Sequence, residues 1–283
     1  MPVERNIAIL CNPLAGVGKA PRLALQLSGE LEKRKISYTL FNKEWPQGFN
    51  GFTEIWIAGG DGTLNYFINR YPEIPLPFAI FKSGTGNDFQ WLLYGNISFE
   101  EQLELVLSAS PKSIDVGKCN EKYFLNGAGI GFEGSVVKSL VGKKKKSGKT
   151  SFYITVLKKI FFYRSQYYHI INGNKTYRGN KLMVSITNGR RAGGGFYISP
   201  EAKADDGLLD VVLVDHLHPL KRLRYLPVIE KGKHLNLPFI THFTTTHLSV
   251  KSDQPMHYHL DGEYCAANEI NIEILKHQLM VLY

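Results

Sequence analysis

The sequence predicts two domains: a parallel α/β domain followed by an antiparallel β-sandwich. In the first hundred-odd residues strand signals alternate with helix signals, which is typical of a parallel sheet flanked by helices. From about Ser113 onward strand-like runs follow one another with few helical interruptions, which favours an antiparallel sandwich. We place the domains at residues 1–115 and 116–283, and the last strand could return to the first domain.

In the first domain, apolar runs bounded by turn residues mark the strands, and helical spacing marks the helices. Leu23, Leu27 and Leu31 recur every four residues, and Pro21 stands near the start of that helix. The predicted elements are strands at Ile7–Cys11, Ser37–Phe41, Ile55–Ala58 and Pro77–Phe81, and helices at Ala20–Lys35 and Phe99–Ala109.

In the second domain, short β-favouring runs are separated by turn signals such as Asp206-Gly207 and Asp261-Gly262. Two helical insertions are expected, near Thr150–Tyr163 and Pro219–His234. The predicted strands are Ile114–Lys118, Tyr123–Asn126, Lys181–Thr187, Leu208–Val214, His247–Val250, Met256–Leu260 and Asn271–Leu275.

Composition narrows the class of protein. The 283 residues are 43% hydrophobic, and the net charge of +9 indicates an acidic partner: a nucleotide, a nucleic acid or an anionic lipid surface. No apolar run reaches the roughly 18 residues of a membrane span. Three scattered cysteines, Cys11, Cys119 and Cys265, lack metal-ligand spacing and favour buried free thiols. A reducing cytoplasm is therefore the expected location.

One glycine turn points to phosphate chemistry. The apolar run Ile55–Ala58 breaks into Gly59-Gly60-Asp61-Gly62-Thr63-Leu64-Asn65, so a buried strand delivers a carboxylate to the carboxyl edge of the sheet. Backbone amides approach a phosphate closely where no Cβ intervenes. Since Asp61 would repel a phosphate directly, it would act through a magnesium ion. The turn predicts a nucleotide site with metal-assisted phosphoryl transfer.

Two further turns follow predicted strands of the first domain. Asn12-Pro13-Leu14-Ala15-Gly16-Val17-Gly18-Lys19 is not a Walker motif, because Pro13 replaces a glycine and Ala20 replaces the Ser or Thr. It is either a phosphate-binding loop or an ordinary βα turn. In Ser83–Asp88, Thr85 could donate to a phosphate, whereas Asn87 and Asp88 could cap the next helix. All three turns lie at carboxyl ends of strands, where they can converge.

Several motifs of the second domain have two interpretations each. Gly127–Phe132 lacks the third glycine of a dinucleotide fingerprint, and we interpret it as a tight turn. Asp205, Asp206 and Asp210 form either a β-turn or a site for a hard cation. Asp261-Gly262-Glu263 is either a hairpin turn or a carboxylate pair aimed at the cleft. The pairs His257/His259 and His216/His218 lack a third ligand, so we interpret them as surface or core histidines.

A basic loop precedes an aromatic-rich helix in the second domain. Val141–Lys149 contains five lysines, and residues 152–163 are mostly apolar or aromatic. Such a segment is either a solvated loop with a core helix or a surface for anionic lipid, and we favour membrane contact through residues 143–163. Nucleic acid is not expected, because no recognised nucleic-acid-binding motif accompanies the charge.

Together these motifs resemble the diacylglycerol kinase catalytic-domain family of bacterial lipid kinases. The Gly-Gly-Asp-Gly-Thr turn alone is shared with NAD kinases and sphingosine kinases, so the combination across nearly the whole chain carries the resemblance. The matching pieces are Asn12-Pro13…Gly16, Gly59–Thr63, Gly84-Thr85-Gly86-Asn87-Asp88-Phe89, Asn126–Phe132, Asp206-Gly207-Leu208-Leu209-Asp210 and Leu260-Asp261-Gly262-Glu263.

The resemblance implies a kinase with ATP in a cleft between the domains and a lipid acceptor at the membrane surface. Glu263 would be the general base, Asp261 would support it, and Asp61 and Asp88 would hold a catalytic Mg²⁺ through water. A structural Mg²⁺ would take the Asp206 carboxylate and main-chain oxygens of Lys203 and Leu208. The ATP phosphates would contact Asn12, Pro13, Leu14, Ala15, Gly16, Gly60, Asp61, Gly62, Thr63, Leu64, Asn65 and Thr85.

The same motifs are compatible with two other functions. An NAD kinase relative would act on a soluble acceptor and would not need the basic-aromatic segment. A nucleotide- or lipid-binding regulator would have lost catalysis, although Asp61, Asp88 and Glu263 are all present. Which lipid accepts the phosphate, and whether several copies assemble, stay undetermined. The protein is expected in the cytoplasm with peripheral attachment to the membrane.

Overall fold

A computed structural model describes residues 4–12, 18–142 and 148–283. It contains two compact units: Met1–Ile114 with His277–Tyr283, and Asp115–Lys276. In the described residues no helix is long and apolar enough to cross a membrane. The elements are β1 (Asn6–Cys11), α1 (Lys19–Lys33), β2 (Ser37–Phe41), β3 (Glu54–Gly59), α2 (Asp61–Arg70), β4 (Phe78–Lys82), α3 (Asp88–Tyr94), α4 (Phe99–Ser108), β5 (Pro111–Cys119), β6 (Lys122–Phe124), β7 (Gly127–Gly131), α5 (Phe132–Lys138), α6 (Gly148–Phe162), β8 (Gln166–Asn172), β9 (Lys175–Thr187), β10 (Leu209–Asp215), α7 (Pro219–Glu230), β11 (Ile240–Thr245), β12 (His247–Leu260) and β13 (Glu263–Leu282).

The first unit is built on a parallel sheet in the order β2-β1-β3-β4. The end of β13 joins it, with Val281 parallel to Phe78 of β4. All six residues of β3 are buried, as expected for a strand covered by helices on both faces. Because the chain runs from β1 to β2 on one side and then to β3 on the other, β1 and β3 flank a topological switch point. Ligands of open α/β sheets bind at that edge.

The second unit is antiparallel, in the order β11-β10-β9-β7-β12-β13. The long strands β9 and β12 each pair with β7 through one half and with β8 through the other half. These four strands therefore form a closed circuit. Apolar side chains fill it, including Tyr168, Ile170, Val184, Ile186, Leu248, Val250, Met256 and Leu260.

Two predictions in the second unit were wrong in extent. His247–Val250 and Met256–Leu260 are not separate strands but halves of β12, whose register against β13 shifts between Lys251 and Met256. The polar stretch between them interrupts the apolar alternation without ending the strand. Asn271–Leu275 is only part of the 20-residue β13. Strands β8 and β11 were not predicted.

The tight turn predicted at Gly127–Phe132 was also wrong. Residues 127–131 form the fully buried strand β7, and α5 begins at Phe132. Glycine is depleted in strands, so the pattern did not indicate one. The glycines are required because neighbouring atoms occupy the space of their side chains: a Cβ on Gly127 would lie 2.9 Å from the Thr187 side chain.

Helices α6 and α7 are joined by a buried arginine. Arg222 on α7 donates from Nη1 to the carbonyl oxygens of Ile160 (3.1 Å) and Tyr163 (2.8 Å) at the end of α6. Its Nε donates to the Leu217 carbonyl at 2.7 Å. The last carbonyls of a helix lack intrahelical partners, so Arg222 satisfies the end of α6. Residues 143–147, which include four of the five lysines of the predicted basic loop, lie outside the described residues.

We predict that Arg222→Met destabilises the second unit by roughly 2–3 kcal/mol, because it leaves buried carbonyls without donors. Urea unfolding followed by circular dichroism measures this change. Arg224→Met is the matched control, since Arg224 is exposed on the same helix, and its effect should stay within about 0.5 kcal/mol. Equal stability of the two variants would contradict the capping role.

Candidate active site

Two glycine turns of the first unit, Gly59–Asn65 and Ser83–Asp88, pack against each other through their backbones. A Cβ on Gly60 would lie 2.7 Å from the Gly84 Cα, and the reverse distance is also 2.7 Å. A Cβ on Gly59 would lie 2.5 Å from the Cβ of Thr63. These glycines are therefore required by packing at the carboxyl edge, whatever ligand binds there.

Asp61 is held at the start of two helices. It is the first residue of α2, and its Oδ1 accepts the backbone N–H of Phe89 in the first turn of α3 at 3.2 Å. Burial raises the pKa of the Asp61 carboxyl, and the amides of Phe89, Asp88 and Asn87 oppose that rise. A carboxylate at a helix N-terminus also interacts favourably with the helix dipole. The structure thus joins the two glycine turns through Asp61.

The predicted capping by Asn87 was wrong. Asn87 occupies the position before α3 with φ 55°, but its side chain does not cap the helix. Instead its Oδ1 accepts the Gly84 N–H and its Nδ2 donates to the Gly84 carbonyl, both at 2.9 Å. These two bonds close the loop that carries Thr85.

The remaining residues predicted to contact ATP fall into three groups. Gly62 and Thr85 are exposed, and Asn12 is partly buried at the end of β1. Pro13, Leu14, Ala15 and Gly16 lie outside the described residues. Thr63, Leu64 and Asn65 are buried. The predicted metal ligand Asp88 is buried as well.

Ser83 is a polar residue at this edge that sequence reasoning did not single out. Its hydroxyl is buried and has no hydrogen-bond partner within residues 4–12, 18–142 and 148–283. A buried hydroxyl normally has a partner, so Ser83 marks a place for an additional polar group. The feature of the sequence that could have identified Ser83 is its position in the glycine turn Ser83–Asp88.

The Asp261 carboxylate is bound by three consecutive backbone amides in the second unit. Its Oδ2 accepts from Leu125 (2.7 Å), and its Oδ1 accepts from Asn126 (2.8 Å) and Gly127 (2.9 Å). Asp261 and Gly262 have φ values of 49° and 89°, and Leu260 pairs with Glu263 across the turn. Positive φ at both central residues is the geometry of a two-residue hairpin. The hairpin interpretation of this motif is confirmed.

Glu263 follows this turn as the first residue of β13. It is exposed, and its carboxylate has no hydrogen-bond or ion-pair partner in the part of the chain that the structure describes. Asp261 is thus committed to backbone amides, whereas Glu263 is available to solvent. The two carboxylates of the motif have different roles.

A second polar cluster lies beside this hairpin; of its members only His259 was singled out from the sequence, as a surface or core histidine. Ser185 on β9 donates from its hydroxyl to Glu133 Oε2 on α5 at 2.6 Å. The Gly262 N–H donates to Nδ1 of His259 at 3.2 Å. Burial raises the pKa of Glu133 to about 7 and lowers the pKa of His259 to about 4. His259 is therefore uncharged at neutral pH, and Glu133 changes charge there.

The Asp206 turn carries the predicted structural metal ligands. Asp206 is exposed, and its Oδ1 accepts the Leu208 N–H at 3.0 Å; Lys203 is exposed and Leu208 partly so. The described residues contain no group of three His, Cys, Asp or Glu side chains suited to a metal. The Lys276 ammonium lies close by, since a Cβ on Gly207 would lie 2.8 Å from its Nζ.

Comparisons with known proteins match both parts of the chain. Residues 6–119 match the diacylglycerol kinase catalytic domain, and residues 128–283 match the YegS C-terminal NAD kinase beta sandwich-like domain. A Pseudomonas syringae pv. syringae (strain B728a) protein named "Probable lipid kinase YegS-like" is 32% identical over 79% of this chain and 73% of its own. The "Diacylglycerol kinase" of Bacillus subtilis (strain 168) is 26% identical over 75% of this chain and 72% of its own.

Solved structures share the fold. The crystal structure of a diacylglycerol kinase from Bacillus anthracis str. Sterne superposes with a TM-score of 0.72 at 21% identity, covering 100% of this chain and 98% of the other. Another structure from that strain gives a TM-score of 0.78 at 22% identity with the same coverage. The predicted combination of an α/β part with a sandwich-like domain is thus supported.

We predict that Asp261→Asn weakens the attachment of the hairpin to β7. The amide group replaces one acceptor oxygen with a donor, so the Leu125 N–H loses its partner. Hydrogen exchange of the Leu125–Gly127 amides should show an opening free energy lower by roughly 2–3 kcal/mol. Asp253→Asn is the control, because Asp253 is exposed on β12, the strand that leads into this hairpin. Unchanged protection in Asp261→Asn would refute the anchoring role.

Proposed function

Because the chain belongs to the family of YegS-like lipid kinases, with a diacylglycerol kinase catalytic domain, we propose that it transfers the γ-phosphate of ATP to a lipid hydroxyl. Diacylglycerol or a related lipid is the proposed acceptor, and Mg²⁺ the required metal. The observation that carries the proposal is the hairpin at Asp261-Gly262. Three amides fix it, and it presents Glu263, which is exposed and has no partner among the described residues.

Glu263 is the proposed general base. It accepts the proton of the lipid hydroxyl while the hydroxyl oxygen forms a bond to the γ-phosphorus of ATP. The bond between the γ-phosphorus and the β–γ bridging oxygen breaks, and ADP is released. A base must be free to approach its proton, and Glu263 is not held in an ion pair with a described residue. Asp261 is the positioning residue, since its carboxylate is occupied by amides.

The glycine turns of the first unit are the proposed phosphate site. Asn12–Gly16, Gly60–Asn65 and Thr85 would contact ATP, and the buried Ser83 hydroxyl offers one further polar group at that edge. Asp61 and Asp88 would hold the catalytic Mg²⁺ through water, since carboxylates are suitable ligands. Bound there, Mg²⁺ would neutralise charge on the phosphates. Asp61 Oδ1 accepts the Phe89 N–H, which orients the carboxylate proposed to face the metal.

A structural Mg²⁺ is proposed at the turn of Lys203, Asp206 and Leu208. The exposed Asp206 carboxylate and two main-chain oxygens are hard oxygen donors, as Mg²⁺ prefers. The nearby Lys276 ammonium opposes a cation, so this fit is weaker than that of the glycine turns.

Peripheral membrane binding through α6 and α7 is also proposed. On α6, Ile154, Leu157 and Phe161 form an exposed stripe opposite its buried residues, and Phe162 is 82% exposed. The exposed Leu220 and Leu223 on α7 extend the surface beyond the predicted segment 143–163. Exposed basic residues lie on the same helices or next to their ends: Lys158, Arg164, Lys221 and Arg224. Exposed apolar and basic side chains on the same helices suit an anionic lipid surface.

The first prediction from this proposal concerns Glu263. With labelled ATP, Mg²⁺ and a lipid panel in mixed micelles, Glu263→Gln should lower kcat by at least about a hundredfold, because the general base is lost. ATP binding should be unchanged. Glu269→Gln, an exposed position on the same strand, should retain activity. Equal turnover of the two variants would exclude Glu263 as the base.

The same assay separates the alternatives. Transfer of the label to NAD, with no transfer to any lipid of the panel, would show that the acceptor is soluble rather than a lipid. No transfer despite intact ATP binding would support a non-catalytic regulator.

The second prediction concerns the membrane surface. Phe162→Ser should weaken sedimentation with phosphatidylglycerol-containing vesicles by about tenfold and Leu220→Ser by several-fold, because each removes apolar area from the bilayer contact. Leu25→Ser is the control, since Leu25 is 64% exposed on α1 and Leu220 is 65% exposed. Equal losses in Leu25→Ser and Leu220→Ser would show that this surface is not the docking site.

A further inference from the structure

A row of three residues crosses three adjacent strands of the second unit. Gly129 of β7 pairs with His259 of β12 on one side and with Ser185 of β9 on the other. Paired residues of neighbouring strands point their side chains to the same face. The next residues, Ala128, Ile130 and Ile186, belong to the core on the opposite face. His259 and Ser185 therefore flank a position that has no side chain.

An acid and a base occupy the place that a side chain on Gly129 would take. A Cβ on Gly129 would lie 2.3 Å from Glu133 Oε2 and 2.5 Å from His259 Nε2. Helix α5 brings Glu133 there because the helix packs closely on β12 at Gly134. A Cβ on Gly134 would lie only 2.0 Å from the His257 carbonyl oxygen. The position of Glu133 is thus set by helix packing.

The hydrogen bonds define what the cluster offers a ligand. Nδ1 of His259 accepts the Gly262 N–H, so the ring hydrogen lies on Nε2. This nitrogen is therefore the hydrogen-bond donor that the ring offers to a ligand. Glu133 Oε2 already accepts from Ser185, and the carboxylate retains further acceptor capacity. A donor and an acceptor beside one another match a hydroxyl group, which both accepts and donates.

The charges around the cluster disfavour an anion. No described Lys or Arg pairs with Glu133, and the nearby Lys138 is directed to His257, with Nζ 2.9 Å from the ring Nε2. Desolvation, and then the charges of Lys138 and Lys159, lower the pKa of His257, so it adds no positive charge at neutral pH. The other groups facing Glu133 are Ser185 on β9 and the uncharged His259 on β12.

We propose that Glu133, Ser185 and His259 form the subsite that binds the uncharged, hydroxyl-bearing head of the acceptor lipid. The His259–Gly262 hydrogen bond connects this subsite to the hairpin that presents Glu263. Glu133 is a specificity residue: its ionised carboxylate repels an acceptor whose head carries a phosphate. The inference rests on the proposed lipid kinase function and adds the residues that select the head group.

The test is direct binding without ATP at pH 8, where Glu133 is ionised because its pKa is about 7. Isothermal titration with dihexanoylglycerol and dihexanoyl phosphatidylglycerol gives the preference for the neutral probe. We expect the wild-type protein to bind the neutral probe at least tenfold more tightly. Glu133→Gln, which keeps the shape of the side chain, should reduce this preference at least fivefold.

A glycine variant tests the geometry independently of charge. Gly129→Ala places a methyl group where Glu133 Oε2 and His259 Nε2 lie, so it should displace both groups and weaken binding of dihexanoylglycerol at least tenfold. Gly29→Ala is the matched control, because a Cβ there meets no atom within 4 Å. Circular dichroism melting of each variant establishes that it folds.

The outcomes separate the subsite from the proposed function. An unchanged preference in Glu133→Gln, or equal binding in Gly129→Ala and Gly29→Ala, would overturn the subsite even if phosphate transfer to lipid is observed. Binding that depends on Glu133 and Gly129 without phosphate transfer would support the subsite and refute the kinase reaction.

Discussion

The second unit depends on the binding of the Asp261 carboxylate by the amides of Leu125, Asn126 and Gly127. These bonds join the β12–β13 hairpin to the start of β7 and so fix the register of β7 against β12. Register decides which face each side chain occupies, and a shift by one residue would move His259 into the core and Leu260 out of it. The exposed Glu263 and the polar row at Gly129 both follow from this one attachment. Hydrogen bonds to a charged group are among the stronger ones in proteins, which suits an anchor at the end of a hairpin.

Asp61 repeats the same arrangement in the first unit. Its carboxylate accepts an amide at the start of α3, 28 positions further along the chain, and Gly60 packs on Gly84 beside it. Of the three carboxylates predicted to be catalytic, Asp61 and Asp261 are therefore bound to backbone amides of another segment, whereas Glu263 is not. A substitution of Asp61 would disturb the join between the two glycine turns as well as any metal ligand. Loss of activity in such a variant would not by itself identify a metal-binding role. Glu263, which has no described partner, gives the cleaner test of chemistry.

The elements that sequence reasoning placed correctly are those defined by local pattern. Strands β1 to β4 are short apolar runs before turns, and α1 shows the helical leucine spacing, so their ends were predicted to within about two residues. The errors arise where distant segments decide the outcome. Strand β7 is rich in glycine because Thr187, Glu133 and His259 occupy the space of its side chains. Similarly, the cap of α3 comes from Asp61 rather than Asn87. Glu133 was missed because its partner Ser185 is 52 positions away.

The proposed subsite and the proposed membrane surface are linked within the second unit by helix packing. Helix α5 carries Glu133, and its Val136 packs against Val156 and Ile160 on the buried side of α6. The other side of α6 exposes Ile154, Leu157 and Phe161. Packed helix axes are about 8–10 Å apart, so roughly one helix layer separates the docking surface from the helix that bears Glu133. A lipid with long acyl chains can span that distance while the chains stay in the bilayer. On these two proposals only the lipid head leaves the membrane, and three polar contacts select the acceptor.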